Sequence, residues 1–259
     1  MRKHPASSQQ LGFDSLLFEA AQTNHARKLE NQTRHLPATM VDALPFFAEL
    51  LQAHHDAMLG AMVDEAMFCR DEAHRLAVKL NGGKAGILAD QDSPGYVLAR
   101  ETAAAPGTVP LWGQKGSFII SANSVPVRIE MEGMFGICAG SAFWLGFSAH
   151  VVDTSKPFIS ETGYRSFLGI HAEPVPGLAP DTFAAKVIAG HVAREMKGRL
   201  VAISTNYRAP LATSSWPSSP PLASVRSDNG ALAGGRNWYV PARPSRSPSA
   251  TPGRRRRNF

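Results

Sequence analysis

The chain has 259 residues, 44% hydrophobic and 19% charged, a globular composition with enough apolar mass for one large or two small cores. Its two cysteines, Cys69 and Cys138, lie in no CxxC or Cys/His cluster, which argues against a disulfide framework or a structural zinc site and fits a reducing compartment. The net charge of +6 is unevenly placed: residues 204–259 hold nine arginines, no lysine and one acid, a net of +8, so the remainder stands at about −2 and offers no evident phosphate-binding face.

The first residues include Arg2, Lys3 and His4, but the stretch from Pro5 to Gln10 is polar and no apolar run of signal-peptide length follows before Asp14. The expectation is a cytoplasmic chain. Met134 to Val152 has membrane-spanning length and no charged residue, with Gly136 and Gly140 as a small-xxx-small pair. Its glycines, serines and His150, and its lack of basic anchors, read instead as buried strands joined by glycine turns.

In chain order, residues 1–36 form an N-terminal arm. Phe13, Leu16, Leu17, Ala20 and Ala21 have helical spacing and predict a short amphipathic helix starting near Asp14 or Ser15. Residues 37–83 read as an antiparallel helical hairpin. Thr39 to Asp42 has capping-box spacing, but Pro45 lacks an N–H and crowds the preceding turn, so a brief helical turn and a fresh start at Pro45 are expected. Phe47, Leu50, Leu51, His54 and Met58 then mark one apolar face, and Met62, Ala66, Cys69, Ala73, Leu76 and Leu80 mark another. The arms run from Pro45 to Leu59 and from Met62 to Leu80, Asn81-Gly82-Gly83 ending the second; one long helix bearing Gly60 is the alternative.

Residues 84–208 change to short apolar runs split by Gly, Pro and Ser, a mainly antiparallel sheet region packed with the hairpin as one domain. Val125, Val127, Ile129 and Met131 alternate with Pro126, Arg128, Glu130 and Glu132, the period of a half-buried strand. Phe118 to Ile120 precedes it as a hairpin partner, across a turn longer than the tightest types. Further strands are expected near Tyr96 to Arg100, Phe143 to Val151, Phe158 to Phe167 and Leu200 to Ile203. A last helix spans about Asp181 to Lys197, opened by Pro180 and closed by Gly198. The fold class is therefore α+β. Residues 209–259 are expected to be a disordered basic tail, since eight prolines, ten serines and nine arginines in residues 204–259 cannot bury enough apolar surface to offset the entropy of ordering.

No motif names a reaction. His54, His55, Asp64, Glu65, Asp71, Glu72 and His74 include only one Asp-x-x-His pair, so a solvated face rather than a metal site is the expectation. The glycines of Asn81 to Lys84 and Gly133 to Gly136 match neither phosphate-loop nor dinucleotide spacing, and Gly-x-Ser-x-Gly is absent. No cofactor or metal is indicated. The densest polar segment is Phe158 to Phe167, just after His150. Glu161 could act as a base, Arg165 as a clamp for a carboxylate or phosphate, and His150 as a proton carrier, with Tyr164 beside them; an ordinary Glu161–Arg165 ion pair is the plainer reading. The run Arg254, Arg255, Arg256 and Arg257 is the candidate nucleic-acid contact, or an import address in a eukaryotic source.

The strings Leu80-Asn-Gly-Gly83, Val109-Pro-Leu-Trp-Gly-Gln114, Arg128-Ile-Glu-Met-Glu-Gly-Met-Phe-Gly136, Ser160-Glu-Thr-Gly-Tyr-Arg-Ser-Phe-Leu-Gly169 and His191-Val-Ala-Arg-Glu-Met-Lys-Gly-Arg-Leu-Val201 resemble a family of uncharacterised bacterial proteins often found on plasmids and other mobile elements. The resemblance covers about Phe13 to Arg208. It implies a bacterial cytoplasmic setting and no activity, and the tail after Arg208 departs from it. The reading that follows is a non-enzymatic accessory or protein-interaction protein of a mobile element, with the hairpin as partner surface. The alternatives are a small-molecule enzyme or ligand-binding domain around His150, Glu161, Tyr164 and Arg165, and nucleic-acid binding through the tail.

Overall fold

The computed structural model describes residues 8–122 and 124–208, with side chains from Ser15 onward except His25. The expected tail disorder and the Arg254 to Arg257 run fall outside the described residues. Among the described residues, five α-helices and four strands follow in order: α1 (Ser8–Thr33), α2 (Met40–Leu59), α3 (Val63–Leu80), α4 (Pro94–Glu101), β1 (Gly116–Ala122), β2 (Val125–Met131), β3 (Phe147–Val151), β4 (Tyr164–Phe167) and α5 (Pro180–Arg194). N-terminal helices, an antiparallel sheet and a C-terminal helix make the α+β class.

α2 starts at the expected cap: the Asp42 amide donates to Thr39 Oγ1 at 3.3 Å, and the Thr39 hydroxyl donates to the Asp42 carboxylate at 2.6 Å. The expected break at Pro45 does not occur, and α2 runs through it. Proline there removes one hydrogen bond, to the carbonyl of Val41, in a first turn whose Val41 side chain is 81% exposed. Phe47, Leu50, Leu51, Ala57 and Met58 beyond it are buried, and their packing carries the helix through. The two-helix hairpin is present, reversed by Gly60 and by Ala61 in the left-handed region at φ 56°.

Two further expectations are corrected. The apolar run at Tyr96 to Arg100 is not a strand but α4, for Ser93-Pro94 supplies a helix start and Leu98 alone buries a large side chain. The short N-terminal helix is α1, 26 residues long. Ala20, Ala21, Gln22, Ala26, Arg27, Lys28, Leu29 and Glu30 are strong helix formers, and propensity rather than burial sustains it.

The sheet is a meander in the order β1-β2-β3-β4, antiparallel throughout. Ala122 pairs with Val125, so residues 123 and 124 alone join β1 to β2. The pairing thus continues closer to the connection than expected, and Ser124 takes the left-handed region at φ 64°. Of the run Phe143 to Val151 only the second half is β3, and of Phe158 to Phe167 only the last four residues are β4. Phe158 forms a single bridge with Val201 in place of a terminal strand.

Two apolar clusters lie under these elements. One joins the inner sheet face (Phe118, Val127, Ile129, Phe147, Ala149, Phe167) to α5 and to Met58 and Ala66 of the hairpin. Its centre is aromatic: Trp144 stacks on Phe183 at 4.9 Å, and Trp112 meets Phe183 edge-on at 5.2 Å. The second lies between α2, α3 and α4, where Phe47 stacks on Phe135 at 5.7 Å.

Candidate functional site

Among the described residues, α5 and the hairpin pack against the inner face of the sheet. Strand alternation puts Ile119, Arg128, His150 and Tyr164 side by side on the outer face, one row from Ser117, Glu130, Ser148 and Ser166. His150 Nε2 lies 3.1 Å from Glu130 Oε2, without the alignment of a hydrogen bond. Glu130 also pairs with Arg128 at 3.2 Å, and the His150 ring meets Tyr164 edge-on at 5.0 Å.

Of the four candidate residues, His150 and Tyr164 are thus brought together. Arg165 follows Tyr164 on the strand and points to the opposite face, in register with Ala149. There its charge, after burial, helps depress the pKa of His191. Glu161 is exposed in the turn before β4, and its backbone carbonyl accepts from the Ser204 amide at 2.9 Å. The sheet face is therefore a charge ladder of the kind expected between opposed strands.

Two clefts lie elsewhere and contain none of the four. One, of about 500 Å3, lies between α2 and the segment after α4, with Leu44, Leu51, Glu101 and Gln114 on its walls. The other, of about 600 Å3, runs along α1. At its inner end Leu29 packs where a Cβ on Gly83 would come within 2.7 Å of its Cδ2, and Gly83 takes φ 77°. Lys79 Nζ donates to the Thr33 carbonyl at 2.8 Å, and the buried Glu72 accepts from His35 and Arg75. Among the described residues, the Leu29, Lys79 and Glu72 contacts lie at the carboxyl end of α1 and in the stretch just after it. Farther out, Leu16 is 64%, Leu17 54% and Phe18 64% exposed.

The hairpin carries a buried polar hub that the sequence reading missed. Arg70 is 3% exposed; its Nε donates to His54 Nε2 at 2.9 Å, and its Nη1 donates to the carbonyl of Ala139 at 3.0 Å and to that of Ala142. Nη2 donates to the carbonyl of Phe143. Because Arg70 can only donate, His54 accepts at Nε2 and carries its proton on Nδ1, which donates to the Trp112 carbonyl at 2.8 Å. Burial, reinforced by the Arg70 charge, pushes the His54 pKa down to about 3, and burial lowers that of Arg70 to about 10. The hub ties α2 and α3 to the glycine-rich loop at 136–146. Arg70 stands four residues after Ala66 and three before Ala73, on the buried stripe, and that spacing was the available signal.

The expectation of a solvated acidic face holds for Asp64, Glu65 and Asp71, which are exposed, but not for Glu72, which is buried; His54 is buried on the apolar face where its spacing puts it. Glu72 faces the stretch just after α1, where its carboxylate accepts from His35 and Arg75. Among the described residues no group of three His, Cys, Asp or Glu side chains is placed to hold a metal ion. Among the same residues no helix is long and apolar enough to cross a membrane.

The chain is similar to two Escherichia coli proteins bearing the name Protein KlcB. One is 38% identical over 149 residues, 57% of this chain and 35% of the relative; the other is 40% identical over 133 residues, 51% and 28% respectively. The chain spans about a third of the length of the curated relatives it matches. That name states no activity, substrate or partner. No family model matches the chain, and no solved structure matches it.

Proposed function

We propose that this chain is a non-enzymatic accessory or interaction protein of a bacterial mobile element, acting in the cytoplasm and engaging a protein partner through α1. One observation carries the reading. α1 is anchored at its carboxyl end and leaves Leu16, Leu17 and Phe18 open to water. Three consecutive large apolar side chains wrap more than half of a helix, and contiguous exposed apolar surface of this kind marks a contact face. The hairpin, the expected partner surface, uses its two best apolar faces internally, and so the arm takes that role. The mobile-element setting rests on the resemblance of the quoted strings, and the likeness to the two Escherichia coli relatives supports the bacterial setting.

The test is a photoactivatable cross-linker at position 18 in bacterial cells producing the full chain. A discrete protein adduct is expected from position 18, lost when Leu17→Glu is added, with none from the same cross-linker at Arg100. The reading falls if position 18 yields no adduct beyond that of Arg100.

A further inference from the structure

Charge before the tail is as uneven as charge over the whole chain. Residues 186–203 hold Lys186, Arg194, Lys197 and Arg199 against Glu195, a net of +3, so residues 1–185 stand at about −5. All four bases are exposed, and so is Arg165 on β4. Lys186, Gly190 and Arg194 succeed one another at steps of four along one side of α5, with the exposed Ala189 and Ala193 beside them. A Cβ on Gly190 would lie 3.1 Å from Arg194 Nη2, so the guanidinium folds back over the helix surface. Lys197 at φ 51° and Gly198 at φ 76° then turn the chain, and Arg199 follows. From the sheet, Arg165 comes close enough to His191 of α5 for its charge to act there, with Glu195 acting in the opposite sense.

Two plainer roles for these bases fall short. Arg75, Arg100, Lys115, Arg128 and Lys156 each pair with a carboxylate, whereas among the described residues none of Arg165, Lys186, Arg194, Lys197 and Arg199 does. Offsetting the helix dipole accounts for Arg194 and Lys197 at the end of α5, but not for Lys186, more than two turns inside, nor for Arg165 on the sheet. We propose that this face binds the phosphate backbone of nucleic acid, through charge and without reading sequence. A protein partner would want large apolar or aromatic anchors at the centre of the contact, and α5 exposes none. An anionic membrane would hold the apolar side of a surface helix, and that side of α5, with Phe183, Ile188 and Val192, is in the core. What α5 offers outward is two bases about 12 Å apart along its axis, with small residues beside them that let a phosphate chain come close. The same run of charge continues into the tail: from Lys186 to Phe259 there are 13 bases and two acids. This face is separate from the α1 reading and does not depend on it.

The experiment is fluorescence anisotropy of a labelled DNA duplex of mixed sequence over a range of salt, with two full-length chains: the unaltered one, and one in which the eight arginines after Arg208 are replaced by glutamine. The second chain should bind more weakly than the first but still bind, and its affinity should fall with salt. In that chain Lys186→Gln or Arg194→Gln should each weaken binding several-fold and lessen the slope of log affinity against log salt by about 0.9, the value for one lost phosphate contact. Arg100→Gln, at an exposed base paired with Glu101 outside the face, should change neither. A duplex of different sequence should bind equally well. Loss of all binding when the tail arginines are replaced would put the affinity in the tail alone and overturn the proposal, as would Lys186 and Arg194 variants that bind like their parent. Polyglutamate displacing the duplex at equal concentration of charge would make an acidic protein surface the partner, and overturns it likewise. None of these outcomes bears on the adduct at position 18.

Discussion

The guanidinium Nε of Arg70 on α3 donates a 2.9 Å hydrogen bond to the imidazole Nε2 of His54 on α2, and both side chains are buried. Around this pair the hairpin, the loop at 136–146 and the Trp112 backbone meet. Arg70→Met would leave three carbonyls and one ring nitrogen without donors. We expect a loss of about 4 kcal/mol, the scale for breaking a buried charged hydrogen-bond network. Arg70→Lys, with its charge retained and its fork lost, should cost roughly half as much. Urea unfolding of the three chains measures both.

His54 makes stability depend on pH with a definite sign. Its folded pKa, about 3, lies below the ordinary histidine value of 6.5, so between those values the unfolded chain binds a proton that the folded chain does not. The stabilisation is complete above about pH 6.5 and declines by up to about 1.4 kcal/mol for each pH unit below it, down to about pH 3. His55 and His191, also depressed chiefly by burial, act in the same direction. His54→Gln should flatten the dependence of the urea midpoint on pH; a profile parallel to wild type would contradict the assignment.

Gly113 and Gly107 both take positive φ, 88° and 83°, but only Gly113 lies against the hub. A Cβ there would stand 2.6 Å from His54 Nδ1 and 3.0 Å from Met134 Cγ, whereas at Gly107 it meets open space. Gly107→Ala should cost about 1 kcal/mol from backbone strain alone. Gly113→Ala adds overpacking and should cost about 3 kcal/mol. Thermal unfolding of the two variants separates strain from crowding.

The two central tryptophans should respond differently to loss of their N–H. Trp112 Nε1 donates to the Leu178 carbonyl at 2.8 Å, while the buried Trp144 Nε1 has no hydrogen-bond partner among the described residues. Trp112→Phe strands a buried acceptor, and Trp144→Phe removes an orphaned donor. The first should be the more destabilising by about 2 kcal/mol, and comparable losses would contradict the hydrogen-bond assignment.

Much of the fold is legible in the residues. Alternation marks β2, and the cap at Thr39, the glycines after Leu80 and the Pro180 start delimit their helices. What was not legible had competing physics. Tyr96 to Arg100 is too short an apolar run to distinguish strand from helix by period, and Ser93-Pro94 was the deciding signal. Pro45 is tolerated because packing that begins at Phe47 outweighs one lost bond. α1 lacks an apolar period through Gln22 to Lys28, so propensity was the guide to its length. Of the candidate site, the meeting of His150 with Tyr164 depends on strand register, and Arg165 is sent to the other face by a single step along β4.

The most direct test of the contact-arm reading is the rate at which a permeant maleimide labels Ala21→Cys inside intact cells, relative to Ala105→Cys, both in the Cys138→Ser background. Both positions are exposed in the isolated chain. A partner lying on α1 shields position 21 but not position 105, so Ala21→Cys should label several-fold more slowly in cells, and the difference should shrink when Phe18→Glu is added. Equal labelling of the two positions in cells would mean that nothing covers the arm.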